Sequence, residues 1–72
     1  MTRVRVSDSS LVEDLVDFLS RVPDCLVERV GDNEIEASII SSLRVERLRE
    51  QLDGYIRAWE SERPGARAEV AD

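Results

Sequence analysis

Apolar and polar residues alternate at the start of the chain. Val4 and Val6 fall on one side and Arg3 and Arg5 on the other, so Thr2 to Val6 is predicted to be a half-buried strand. The period then lengthens. Leu11, Leu15, Phe18 and Val22 share one line at helical spacing, widened by Val12, Val16 and Leu19, which predicts a helix to about Arg21. Asp8 or Ser10 can cap it, and Ser10 with Glu13 has capping-box spacing. Pro23 and Asp24 end it.

The stretch from Cys25 to Ile40 reads as two strands around Gly31, Asp32 and Asn33, residues that tolerate turn dihedrals. Parity sets the register of this hairpin. An even loop puts Leu26 and Val30 on the face of Ile35, Ala37 and Ile39, with Arg29 across from Glu34 or Glu36. An odd loop opposes Glu28 to Glu36. Avoidance of that like-charge pair favours the even loop, which turns Glu28 inward near a sheet edge.

Ser41 or Ser42 is expected to cap a second helix running to about Glu62, because Val45, Leu48, Leu52, Tyr55, Ile56 and Trp59 recur at helical spacing. Pro64 and Gly65 stop it. Ala66, Ala68 and Val70 then alternate with Arg67 and Glu69 as a last strand would. The resulting order β-α-β-β-α-β predicts one α+β domain over residues 1–72: a ferredoxin-like split βαβ, with a four-stranded antiparallel sheet of order 4-1-3-2 and two helices on one face. The open face is expected to carry Arg3, Arg5, Glu34 and Glu36.

Length and charge narrow the function. A chain of 72 residues buries only about 60% of its unfolded surface, so the core is thin and a second copy would help it. The 42% hydrophobic and 36% charged residues suit a folded domain. The net charge of −6 disfavours nucleic acid and anionic membranes as partners. All ten cations are arginine, a bias of GC-rich coding that fits a bacterial source. Without histidine there is no catalytic imidazole or histidine metal ligand, and without lysine no Schiff base. The lone Cys25 excludes an intrachain disulfide and suits a reducing compartment, so the expected location is the cytoplasm. No run approaches the roughly 20 apolar residues of a membrane span.

The segments VRVSD, ERVGDNEIEAS and AWESERPGARAEV together resemble short actinobacterial proteins that have no assigned activity. The resemblance spans most of the chain and implies the same fold and a bacterial origin, but no site. More distantly, the architecture is similar to that of other ferredoxin-like families. The position of the Met-x-Cys-x-x-Cys loop of heavy-metal-associated domains holds Ser7 to Ser10, and the aromatics of RNA-recognition motifs are missing from Arg3, Arg5, Glu34, Glu36 and Ser38. Amino-acid sensors of the ACT type remain compatible.

Each candidate for chemistry has a structural reading beside it. Cys25 has no histidine to activate it and reads as a packing residue. Asp8, Glu13, Asp14 and Asp17 could gather a hard cation, but acids in the first turns of a helix are what its dipole favours. Tyr55 and Trp59 continue the apolar stripe. Gly54 is less easily absorbed, since a mid-helix glycine costs about 1 kcal/mol relative to alanine. It lies opposite Leu52 in a strip with Arg47, Gln51 and Ala58, where a second helix could approach closely.

These features point to a non-catalytic interaction or regulatory module, a homodimer or small subunit, with no cofactor, metal or catalytic residue assigned. The interaction residues are Arg47, Gln51, Gly54 and Ala58. A competing interface is the edge strand from Cys25 to Val30, with Val27 outward and Arg29 guarding it. The alternative function is a small-ligand sensor, and an enzyme is the least favoured.

Overall fold

The computed structural model describes residues 2–40 and 44–71. Strand β1 (Thr2–Val6) leads through a 3-10 turn (Ser9–Leu11) into helix α1 (Val12–Ser20). The hairpin of β2 (Cys25–Arg29) and β3 (Glu34–Ile39) follows, then the long helix α2 (Val45–Glu62) and the short β4 (Ala68–Val70). All strand pairs are antiparallel. The sheet order is β2-β3-β1-β4, which is 4-1-3-2 when counted from the opposite edge.

The sheet buries one face. Val4, Val6, Ile35, Ala37 and Ile39 share a core with Val12, Leu15 and Leu19 of α1 and Leu48, Leu52, Ile56 and Trp59 of α2. Both helices therefore lie on the same side, α1 mainly under β2 and α2 mainly under β4. Arg3 and Arg5 are exposed on the other side, with Glu34 and Glu36 beside them as expected.

Of the two expected caps, Asp8 is the one used, and it caps the 3-10 turn that leads into α1: its Oδ1 accepts both the Ser10 N–H at 2.9 Å and the Ser10 hydroxyl at 2.7 Å, while Leu11 at the start of α1 makes no side-chain capping bond. Ser10 is thereby used up and makes no capping box. The buried line of α1 is Val12, Leu15 and Leu19, while Leu11, Val16 and Phe18 are only partly covered. At the other end the chain turns through Asp24 in the left-handed region (φ 62), which a short polar side chain tolerates better than most.

For α2, the expected caps Ser41 and Ser42 lie outside the described residues. The residue at the cap position is Arg44, which makes no side-chain capping bond. The helix ends at Glu62 as the pattern predicts, and Gly65 takes up φ 85 in the turn to β4. Among the described residues no helix is long and apolar enough to cross a membrane.

The hairpin register corrects the parity argument. Cys25 pairs with Ile39, Val27 with Ala37, Glu28 with Glu36 and Arg29 with Ile35. The loop is the odd one, residues 31–33, closed by the Val30 N–H on the Glu34 carbonyl at 3.0 Å. Val27 and Cys25 point to the core side, and Leu26, Glu28 and Val30 point to the open face. Magnitudes explain the outcome. Opposed like charges on a solvated face cost about 0.2–1 kcal/mol, whereas burying an unpaired carboxylate costs several. Arg29, placed on the helix side at the edge, reaches out of the core. Its guanidinium donates to the Gly31 and Asp32 carbonyls at 3.0 and 3.2 Å and to Glu13 at 2.9 Å.

Candidate functional site

Arg47, Gln51, Gly54 and Ala58 all lie on the exposed side of α2. A side chain built at Gly54 would meet nothing within 4 Å, so no intramolecular contact accounts for the glycine. The strip is continuous and solvated.

The acids of the first helix do not converge. Asp8 holds Ser10, Glu13 holds Arg29, and Asp17 pairs with Arg21 at 2.9 Å. The hydrogen bond from the Ser10 hydroxyl, then that from its backbone, keeps the Asp8 carboxyl below its usual range. Asp14 accepts the Trp59 indole N–H at 2.8 Å and meets the Arg63 guanidinium. The Trp59 bond first, then Arg63, lowers its pKa. Arg63 also lies 5.7 Å from the ring centres of Phe18 and Trp59. This knot ties α1 to the end of α2. Among the described residues no three of His, Cys, Asp and Glu are grouped as metal ligands would be.

Cys25 is half-buried at the start of β2, and burial pushes its thiol up, away from the thiolate a nucleophile requires. Trp59 is fully buried and Tyr55 partly so; both continue the core stripe.

Two features of the surface were not expected. The large exposed hydrophobics among the described residues are Leu26 (53% exposed), Val30 (42%) and Ile40 (62%). Leu26 and Val30 lie on the open face with Glu28 between them. Ile40 continues the alternation past Ile39, its N–H bonded to the Asp24 carbonyl at 2.8 Å. The sequence did hold a signal, since Ile39 and Ile40 are consecutive and cannot both face the core of a strand.

The second feature is a concavity of about 820 Å³ where β1 and β4 meet the second half of α2. Arg5, Arg57 and Arg67 line it together with Glu34, Glu60 and Glu69. Glu60 braces this end: its Oε2 accepts the Ala68 N–H at 2.9 Å, and its Oε1 lies 3.5 Å from Arg57.

Charge divides along the same line as the sheet. Residues 7–40, which form α1, β2 and β3, carry nine acids and two arginines, a net −7. The remainder, which supplies β1, α2 and β4, carries seven acids and eight arginines, a net +1. Among the ion pairs of the described residues, two cations cross to the acidic part: Arg3 on the open face, at 3.1 Å from Glu36 and 3.5 Å from Glu34, and Arg63 at Asp14 on the helix side.

Compared with protein-family models, curated proteins and solved structures, the chain matches none.

Proposed function

We propose that this ferredoxin-like domain is a non-catalytic protein-interaction module of a bacterial cytoplasm. The observation that carries the reading is the placement of Leu26, Val30 and Ile40, three large apolar side chains left in water by a chain with few to spare. Scattered exposed hydrophobics are ordinary, but here they occur together along one hairpin at the rim of the open sheet face. Self-association is part of the reading, through the outer strip of α2. Arg47 and Gln51 would flank the approach of two helices at Gly54 and Ala58, as an isologous contact requires. Light scattering over a concentration series tests it. A mass above the 8.2 kDa of one chain is expected, and Gly54→Leu returns it to the monomer value. A native chain that stays monomeric removes self-association, and leaves the module to a different protein partner.

The concavity beside β4 favours a second reading, a small-ligand sensor. Its volume falls within the range of ligand pockets, and its mixed arginines and glutamates suit a zwitterion such as an amino acid. A rise in melting temperature with one amino acid, abolished by Arg67→Ala, would support this reading over the first.

A further inference from the structure

We propose that the β2 edge takes up an extended segment of another protein as a fifth strand, and that this segment carries a basic residue flanked two positions away on each side by apolar ones. The proposal rests on the interaction-module reading and names the surface and the chemistry of the partner.

Among the described residues, half of the main-chain groups of β2 have no partner. The Val30 N–H on the Glu34 carbonyl and the Ile40 N–H on the Asp24 carbonyl set the parity of the ladder, so even-numbered residues of β2 turn their backbone groups toward β3. Cys25, Val27 and Arg29 turn theirs outward. The Cys25 N–H is taken by the Val22 carbonyl at 3.2 Å, which leaves Val27 and Arg29 with both donor and acceptor at the edge. An added strand recognises such a row through its own backbone.

The side chains beside that row specify the partner. Along the open face β2 presents Leu26, Glu28 and Val30, an apolar, acidic, apolar series at every second position. Glu28 faces Glu36 directly across the ladder. Arg3 answers Glu36 and Glu34, and no described cation pairs with Glu28. The isolated domain thus keeps an unfavourable like-charge pair at its edge, the kind of local conflict expected where a partner binds. An arginine or lysine on the incoming strand would resolve it, and apolar residues two positions away would cover Leu26 and Val30.

A second copy fits this edge poorly. Pairing β2 with its own mate brings together two halves of net charge −7. Pairing it with the β4 edge of another copy meets the Ala68 N–H, which Glu60 already occupies.

The test uses the intact domain and a capped synthetic peptide, TVTRTVT, which places valines two positions either side of the arginine, with TVTETVT as its control. Amide exchange read by NMR is expected to slow about tenfold or more at Val27 and Arg29 in the presence of the arginine peptide and to stay unchanged with the glutamate peptide. Glu28→Arg, a change at an exposed position, should weaken binding of the arginine peptide about five- to tenfold and confer binding of the glutamate peptide. Binding that leaves Val27 and Arg29 exchange unchanged, or that ignores Glu28→Arg, overturns the β2 proposal while the module reading stands. The same holds if exchange at those amides slows with protein concentration alone, because the occupant is then a second copy. No binding of either peptide at millimolar concentration also overturns it; light scattering then decides the module reading separately.

Discussion

The two edges of this sheet are built in opposite ways. At one, β4 is three residues long, follows the Pro64-Gly65 turn, and has its outward Ala68 N–H held by the carboxylate of Glu60. Arg57 holds that carboxylate in turn. At the other, β2 is five residues long and nothing among the described residues covers the backbone of Val27 and Arg29. Short length and side-chain capping are recognised means of blunting an edge, and β4 uses both. Among the described residues the blunting device on β2 is charge, in Glu28 and Arg29, and Arg29 is folded back onto the hairpin turn and Glu13. An edge that is capped keeps other chains away; an edge with spare donors, spare acceptors and exposed Leu26 and Val30 invites one of matching charge.

The knot that joins the two sides offers the largest way to disturb this contrast. Asp14 on α1, the helix under β2, accepts the N–H of Trp59 on α2, the helix under β4. Asp14→Ala leaves a buried indole N–H without its acceptor and should cost about 1–3 kcal/mol by urea unfolding at neutral pH. The sign of its pH dependence follows from the lowered carboxyl pKa. A group depressed in the folded state contributes its stability above the unfolded value of about 3.9 and loses it as pH falls through the folded value. The gap between the native chain and the variant should therefore be full at neutral pH and shrink in acid below about pH 4. A gap that persists unchanged in acid would assign the effect to packing rather than to the ionised carboxylate.

Glu60→Ala should have the next effect, about 1 kcal/mol, because it removes one partly buried charge-assisted bond at the capped edge. Faster amide exchange is expected at Ala68 and none at Val27. If Val27 responds as strongly, the edges are coupled and the contrast between them fails. The smallest effect has the opposite sign. Glu28→Gln should stabilise the isolated domain by about 0.2–1 kcal/mol by relieving its opposition to Glu36. A lowered urea midpoint would show that Glu28 has a favourable role in the isolated chain and would weaken the case for an incoming cation.

Much of the fold was legible because its signals are local and repeated. The alternation of Val4 and Val6 with Arg3 and Arg5, the stripe from Leu48 to Trp59 and the Pro64-Gly65 stop each determine an element without reference to any other. Gly54 was legible as an exposed glycine for the same reason, since its place opposite Leu52 follows from helical geometry alone. The sequence by itself therefore determined the order of elements, the faces of β1 and β3, and the solvated strip of α2. Tertiary structure alone decided the phase of β2. Its residues alternate too weakly to choose a face, with Leu26 and Val30 competing against Cys25 and Val27, and Glu28 and Arg29 adjacent. The choice fell when β3 and α1 supplied partners: Ala37 opposite Val27, and Gly31, Asp32 and Glu13 around the Arg29 guanidinium. Once that phase is set, Leu26, Glu28 and Val30 are outward together, and the acidic, apolar rim exists only because groups distant in sequence outweighed one like-charge pair.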